Sequence, residues 1–356
     1  MKRLALIGSW IFTAFVGMAA GGQAGQGGES KPLYEPGMVR AERNLRGPLT
    51  PPTQGGEADF WVVEPDIKLY HFAAGKGRNV LIIHGGPGRP QLKPWAGLEP
   101  LTDSYRFHYY DQRRCGQSSR PIDRFNSPNF YQNMLLLDRT LGLGAQIADI
   151  ERIRRILGED KLIVIGHSFG GFLAALYAAE FPEHVAAMVL VAPADVLVAP
   201  NEDGGLFNAV KARLPEDQRS GYLDWLQRYF NFGTIFSKSE ADLVALNEEF
   251  GKYYRKVTTA EFPESGKIGG WMTQAIFISM GQKHDYRPFL EKVRVPVLVI
   301  HGANDLQPEQ ASRVYAKAFS NAKFSVIDKA EHFSFHTQPA EFAAVVGEFL
   351  KKSVTR

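Results

Sequence analysis

The stretch that most constrains this chain is Gly166-His167-Ser168-Phe169-Gly170, in which a serine lies between two glycines. It follows the apolar run Leu162-Ile163-Val164-Ile165, which is short, continuous and rich in β-branched residues, as expected of a parallel strand buried on both faces. The segment after it, residues 171–180, favours a helix that Pro182 ends. A serine between a strand and a helix is held in a strained turn that presents its hydroxyl above the sheet, so Ser168 is the candidate nucleophile.

Length and composition describe an ordinary globular chain. The 356 residues can hold one large α/β domain with an insertion, or two smaller domains. With 44% apolar and 22% charged residues, the composition argues against disorder and against a protein that spans a membrane many times. The formal net charge is only +3 and no run of lysine or arginine concentrates it, so we expect no nucleic-acid partner.

The N-terminus has the pattern of a secretory signal. Lys2 and Arg3 precede an apolar stretch over residues 4–20, and small residues suited to cleavage continue to Ala24. We therefore expect a signal peptide over residues 1–24 and an exported protein, periplasmic or secreted, with no stable membrane association once the signal is removed. An uncleaved N-terminal membrane anchor is the alternative, because the stretch is borderline in length for a membrane span.

The next part of the chain, residues 25–54, is rich in glycine and proline and predicts a flexible N-terminal segment. The only cysteine is Cys115, so the chain cannot form an internal disulfide and its core must hold it together.

Short apolar runs alternate with helical segments, which predicts a mostly parallel sheet flanked by helices. The predicted strands cover residues 60–63, 67–72, 79–83, 105–110, 162–165, 187–191, 295–300 and 323–327, the first two as a hairpin. The alternation lapses over residues 196–290, where aromatic-rich helical sequence predicts a helical cap inserted between strands. The α/β core then consists of residues 55–195 and 291–356, and it ends in a helix over residues 339–351.

A serine hydroxyl is a poor nucleophile, so Ser168 needs a histidine base and an acidic residue that orients the base. In α/β-hydrolases these partners follow in the order serine, acid, histidine, each in a loop after a later strand. Asp305 and His332 satisfy that order, since both follow predicted strands. His336 is the alternative base, and Asp328 is the alternative acid, although it lies where a turn residue is expected.

The same mechanism requires backbone donors for the negative oxygen of the intermediate. We expect the amide of Phe169, directly after the nucleophile, and an amide of the glycine-rich loop after residue 83, that of Gly86. The strand-end histidines His84 and His301 have no companion at metal-ligand spacing, so we predict no metal and no cofactor.

These motifs together resemble the proline iminopeptidase family of α/β-hydrolases. The resemblance rests on His84-Gly85-Gly86-Pro87-Gly88, on Asp111-Gln112-Arg113 with the cysteine, glycine and serine that follow it, and on the elbow with its acid and base. It covers the chain from about residue 60 to the end, apart from most of the cap. In two places the chain departs from the family: Arg114 stands where the family has glycine, and the elbow Gly-His-Ser-Phe-Gly-Gly is also widespread among esterases.

The resemblance implies a serine hydrolase that releases N-terminal residues from small peptides through an acyl-enzyme, and the N-terminal pattern adds the expectation that it is exported. A carboxylesterase or amidase that acts on a small ester or amide is the alternative, because the same triad serves both leaving groups. In the family, a cap glutamate that follows a tryptophan binds the substrate ammonium. The corresponding region has no tryptophan but contains Glu248 and Glu249, which are therefore the candidates for that role.

Overall fold

The computed structural model describes residues 31–201, 205–259 and 262–354. The signal peptide predicted over residues 1–24, and the start of the segment predicted to be flexible, lie outside these ranges. None of the helices in the described ranges is both long and apolar enough to cross a membrane.

One large sheet forms the centre of the fold. The strands of the described residues are β1 (Phe60–Glu64), β2 (Ile67–Gly75), β3 (Arg78–Ile83), β4 (Tyr105–Tyr110), β5 (Leu162–His167), β6 (Val185–Val191), β7 (Val198–Ala199), β8 (His284–Asp285), β9 (Val297–Gly302) and β10 (Ala322–Ile327). Eight of them form the sheet in the order β1-β2-β4-β3-β5-β6-β9-β10, and β7 pairs with β8 separately. The strands from β4 to β10 in that order pair in parallel, whereas β1 and β2 pair antiparallel at one edge. The predicted mostly parallel sheet is confirmed.

The central strand β5 shows why an uninterrupted apolar run forms a strand here. All of its residues are buried, and successive side chains point to opposite faces. Leu162 and Val164 pack in the core cluster on one face of the sheet, while Ile163 and Ile165 pack in the cluster on the other face. Because both faces are covered by helices, the strand needs apolar residues at every position.

The helices of the described residues are α1 (Phe130–Leu141), α2 (Leu143–Ile156), α3 (Phe169–Glu180), α4 (Gly205–Arg213), α5 (Glu216–Tyr229), α6 (Glu240–Arg255), α7 (Trp271–Met280), α8 (Arg287–Leu290), α9 (Glu309–Ala318), α10 (Ser334–Thr337) and α11 (Pro339–Ser353). Helices α2, α3 and α9 contribute to the core cluster on one face of the sheet, and α11 contributes to the cluster on the other. The fold is thus a sheet with helices on both faces.

The insertion between β6 and β9 contains α4 to α8 and has an apolar cluster of its own. Trp225 lies at its centre, fully buried, with its ring 4.7 Å from that of Tyr229 and 5.2 Å from that of Phe250. The two ends of the insertion are held together by the β7–β8 pair, in which Val198 lies opposite Asp285. This insertion is the helical cap, and it covers the carboxyl edge of the sheet.

The described part of the N-terminal segment, residues 31–54, packs against the core. The backbone amides of Gly37 and Val39 donate to the carboxylate of Glu180 at 2.6 and 2.8 Å, and Val39 is fully buried. The prediction of a flexible segment over residues 25–54 is therefore corrected for this part of it. Its glycines and prolines shape turns, and buried apolar side chains anchor those turns to the core.

Candidate active site

Ser168 occupies the turn between β5 and α3 in a strained conformation. Its φ is +53° and its ψ is −121°, a backbone region that residues with a side chain rarely adopt. The turn is held on both sides, since the amide of Ser168 donates to the carbonyl of Val191 at 2.9 Å and its carbonyl accepts from the amide of Ala194 at 3.0 Å. These bonds fix the direction in which the serine side chain leaves the sheet.

The two glycines of the motif are required by close backbone packing. A Cβ at Gly166 would lie 2.2 Å from the carbonyl oxygen of Gly170, and a Cβ at Gly170 would lie 2.1 Å from the carbonyl oxygen of Ile83. Real Cβ atoms do not approach oxygen this closely, so α3 can sit against β5 and β3 only with glycine at both places.

The structure brings Asp305 and His332 together at the carboxyl edge of the sheet, in the loops after β9 and β10. The Nδ1 of His332 lies 2.8 Å from Oδ2 of Asp305, and the other carboxylate oxygen accepts from the amide of Gln307 at 2.9 Å. His332 and Ser168 line the same cavity. With Nδ1 bound to the carboxylate, Nε2 is left as the basic nitrogen, which is the arrangement that a general base needs.

The two alternatives from the sequence are placed elsewhere. His336 is exposed on the short helix α10, and Asp328 is exposed in the turn that directly follows β10. Neither residue lines the cavity that contains Ser168.

His167, next to the serine, supports the loop that carries the base. Its Nε2 donates to the carbonyl oxygen of His332 at 3.0 Å. Burial, and then the nearby His332, keep the pKa of His167 well below its usual range, so this imidazole is neutral. Its ring packs on Phe333 at 4.9 Å between centroids. His167 therefore positions the backbone of His332.

The two expected oxyanion donors belong to segments that adjoin Ser168. Phe169 is the first residue of α3, so its amide has no partner within the helix. Gly86 has a φ of +123° and lines the cavity with Ser168. The loop passes so close that a Cβ at Gly85 would lie 2.9 Å from the Cβ of Ser168. The absence of a side chain at Gly85 thus lets this loop pass directly beside the serine.

His84 fixes that loop to the Asp111-Gln112-Arg113 segment. Its Nδ1 donates to the carbonyl of Gly85 at 2.9 Å, and its Nε2 accepts from the amide of Gln112 at 3.1 Å. The side chain of Gln112 donates back to the carbonyl of His84 at 3.0 Å. Burial lowers the pKa of His84 to about 4, which keeps the imidazole neutral and able to accept. The two motifs of the family resemblance therefore form one supporting unit.

The arginine of this segment has a structural role. Arg113 is fully buried and pairs with Asp149 at 2.5 Å and with Glu64 at 2.6 Å. Arg152, also fully buried, joins the same two carboxylates. Each charge has an opposite partner, as burial in a core requires.

Arg114 has a φ of +69°, a backbone conformation that glycine adopts more readily than other residues. This conformation explains why related chains have glycine at the position. The side chain of Arg114 is buried and lies 3.6 Å from a carboxylate oxygen of Glu240 in the cap. That carboxylate also accepts from the amides of Gly270 and Trp271, at 2.9 and 2.8 Å, and so caps the start of α7. The arginine that replaces the family glycine thus links the core to the cap.

Two cavities meet at Ser168 beneath the cap, and they differ in character. The smaller, of about 160 Å³, contains His332 and several polar side chains, among them Asn247 and Thr273. The larger, of about 340 Å³, is mostly apolar. Its apolar lining includes Leu206, Phe207, Phe230, Ile276, Phe277 and Met280. The cavity pair provides room for two chemically different groups on either side of the serine.

The structure does not bring Glu248 and Glu249 to either cavity, which corrects their assignment to a substrate ammonium. Asn247 and Phe250 lie on the face of α6 that lines the smaller cavity. At 3.6 residues per turn, the two glutamates between them fall on the flank of the helix. Glu248 is exposed, and Glu249 pairs with Arg228 at 2.7 Å.

The sequence patterns leave several cavity residues unidentified, among them Arg89 and Arg255. Arg89 directly follows the His84-Gly85-Gly86-Pro87-Gly88 loop, and this neighbourhood was a usable signal. No sequence signal indicated Arg255, because a helical pattern does not show which face of a cap helix meets the core. Within the described ranges, no group of three or more histidine, cysteine or acidic side chains could hold a metal ion.

Comparisons with known proteins agree with this geometry. A sequence profile of the alpha/beta hydrolase fold matches residues 78–339. The chain is 28% identical over 289 residues to a proline iminopeptidase of Heyndrickxia coagulans, across 78% of this chain and 91% of that protein. It is 26% identical over 304 residues to a proline iminopeptidase of Saccharolobus solfataricus, across 80% and 87% of the two chains.

A solved alpha/beta fold family hydrolase of Bacillus anthracis shares the fold, with a TM-score of 0.54 at 21% identity over 80% of this chain and 96% of that one. The profile match spans most of the chain and includes the elbow of Ser168 and the loops of Asp305 and His332. The chain therefore belongs to the α/β-hydrolase fold family, as a hydrolase that resembles the proline iminopeptidases.

Proposed function

We propose that this protein is a serine hydrolase that releases the N-terminal residue of a small peptide through an acyl-enzyme. The observation that carries the proposal is the pairing of Asp305 with His332, which lines the cavity that contains Ser168. The relatives named proline iminopeptidase support the choice of substrate.

In the proposed mechanism, the Oγ of Ser168 attacks the scissile carbonyl while Nε2 of His332 takes its proton. The amides of Phe169 and Gly86 stabilise the negative oxygen of the tetrahedral intermediate. When the intermediate collapses, His332 gives the proton to the leaving amine, and the acyl group stays on Ser168. A water molecule, deprotonated by His332, then releases the free residue. Asp305 holds the imidazole and stabilises its charged form.

A carboxylesterase or amidase is the second candidate, and two observations favour it. Neither Glu248 nor Glu249 reaches the cavities where a substrate ammonium would bind. The larger cavity is mostly apolar, as an apolar acyl group would require. Both candidates use the same serine, base and oxyanion donors.

A matched substrate panel distinguishes them. We expect the purified protein to hydrolyse prolyl-4-nitroanilide but not acetylprolyl-4-nitroanilide, since only the first has the free amine that an aminopeptidase recognises. Turnover of 4-nitrophenyl acetate and butyrate with no turnover of either anilide would establish the esterase instead. Ser168→Ala provides the blank for every substrate.

We also propose that the protein is exported, on the strength of Lys2, Arg3 and the apolar stretch after them. The N-terminal sequence of protein from fractionated cells tests this. The mature chain should start after Ala19, Ala20 or Ala24, and an intact Met1 in cytoplasmic protein would contradict export.

A further inference from the structure

The smaller cavity contains two arginines, Arg89 and Arg255, that the proposed mechanism leaves without a role. Arg89 comes from the core, in the loop that also carries Gly86. Arg255 comes from the cap, at the end of α6. The two side chains therefore reach the same cavity from opposite sides of the core–cap boundary, on the side of Ser168 where His332 lies.

Arg89 packs on an aromatic ring, whereas Arg255 lies beside a glycine of its own helix. The guanidinium carbon of Arg89 lies 5.5 Å from the ring centroid of Phe262, which also lines the cavity. Arg255 bends back along its helix, so that a Cβ at Gly251 would lie 3.2 Å from its Nη1. The absence of a side chain at Gly251, another lining residue, gives this guanidinium room beside the cavity.

Neither arginine forms an ion pair with a carboxylate of the described residues. This distinguishes them from Arg113, which pairs with two buried carboxylates, and from Arg228, which pairs with Glu249. Burial, and then the nearby charge of Arg255, lower the pKa of the Arg89 guanidinium. Two neighbouring positive charges in a partly enclosed cavity are stabilised by an anion that binds between them.

The position of His332 says which part of a substrate would meet these arginines. His332 lines the smaller cavity but not the larger one. Because the base must hand its proton to the leaving group, the leaving group lies on the side of the smaller cavity, and the acyl group faces the apolar one.

We infer that Arg89 and Arg255 form a carboxylate subsite for the leaving group, so that the preferred substrates are short and end in a free carboxylate close after the scissile bond. This inference rests on the proposed serine hydrolase mechanism. A dipeptide or tripeptide has this chemistry. The leaving group of such a peptide is one or two residues long, and the smaller cavity, of about 160 Å³, suits a group of that size.

The test compares substrates that differ only in one charge. The first pair is prolyl-4-aminobenzoate and prolyl-4-aminobenzamide, and the second is the ester pair 4-acetoxybenzoate and 4-acetoxybenzamide. For the wild-type protein we expect kcat/KM to favour the anionic member by about 10- to 100-fold, the range of a charge-assisted contact. The preference for the anionic substrate should shrink as salt is added, because Arg255 is exposed and salt screens its charge.

Arg89→Gln and Arg255→Gln should each lose far more activity on the anionic member than on the neutral one, which lowers the ratio of the two kcat/KM values at least threefold. Lys252→Gln is the matched control, since it removes a positive charge from an exposed position on the same helix that does not line the cavity. It should leave the ratio at the wild-type value.

The outcomes separate this subsite from the peptidase proposal. A wild-type ratio near one on every pair that is hydrolysed overturns the subsite, and it does so without any variant. A ratio that falls equally in Lys252→Gln overturns it as well, because the effect would then be one of overall charge. If only the ester pair reacts and the anionic ester is preferred, the subsite stands and the aminopeptidase proposal fails.

Discussion

At the elbow, a Cβ on Gly170 would lie 2.1 Å from the carbonyl oxygen of Ile83, whereas a Cβ on Gly233 in the cap would meet its nearest neighbour, the Asn231 side chain, at 3.5 Å. The core thus places Ser168 by close contacts between backbone segments. The centre of the cap is ordered instead by side chains, the rings around Trp225. Close backbone packing returns where α6 meets α7, since a Cβ on Gly270 would lie 2.8 Å from the carbonyl oxygen of Glu240. Backbone packing at the elbow requires glycine and so fixes the position of Ser168, whereas the cap contributes side chains to the lining of the two cavities.

The largest effect should come from the side chains that the core presents. Ser168→Ala and His332→Ala should each lower kcat by roughly 10⁶-fold, because each removes a part of one catalytic unit. His336→Ala is the control, as this exposed histidine lies close by in the chain but outside the cavity. Steady-state kinetics on the best substrate measure all three. Turnover near the wild-type rate in either active-site variant would break the assignment.

The next effect compares a glycine of the core with one of the cap. Gly170→Ala should lower the free energy of unfolding by about 3 kcal/mol or more, because backbone atoms must move apart. Gly233→Ala, at an exposed cap position with ordinary contacts, should change it by less than about 1 kcal/mol. Urea unfolding of both variants measures the difference. Similar losses of unfolding free energy in both variants would show that the backbone is packed as tightly around Gly233 as it is around Gly170.

The smallest expected effect is the change of the free energy of unfolding with pH, and it arises from buried groups of the core. Burial lowers the pKa of His71, His84 and His108 to about 4 each, below the value of about 6.5 in an unfolded chain. Between pH 6.5 and 4 the unfolded chain therefore binds more protons, so stability is full above pH 6.5 and is lost as the pH falls.

Asp111 opposes this change, because burial raises its pKa to about 6 and its contribution is lost as the pH rises. Burial also raises the pKa of Asp138 and Glu180, and it lowers the pKa of His167, His284 and His301. Six histidines against three carboxyls leave a net loss toward acid. The buried His84 alone contributes at most about 1.4 kcal/mol per pH unit, and the partly exposed His71 contributes less. Urea unfolding at pH 7 and pH 4.5 should show the loss, and equal midpoints at the two pH values would contradict it.

The same comparison explains what could be predicted from the sequence. The strands, the elbow and the loops of Asp305 and His332 follow from local pattern and from the rule that parallel strands end at one edge. The faces of α6 could not be predicted in this way, because the orientation of a cap helix depends on packing between distant segments. Glu248 and Glu249 therefore lie outside the cavities that they were expected to line, whereas Arg255, which no pattern indicates, lines one of them.

The N-terminal segment was misjudged for a related reason. Its glycine and proline content is typical of a flexible tether, yet Val39 is buried and Glu180, far along the chain, binds its backbone amides. Composition alone does not show that a segment will bind a side chain of a distant helix, as this segment binds Glu180.

The central claim is that Ser168, activated by His332, becomes acylated during turnover. Its most direct test is to treat the protein with a fluorophosphonate, which phosphonylates an activated serine, and to locate the adduct by mass spectrometry of the digested protein. We predict one adduct per chain on the peptide that contains Ser168, formed by the wild-type protein and by His336→Ala but not by His332→Ala. An adduct on another serine, or equal labelling of His332→Ala, would contradict the account.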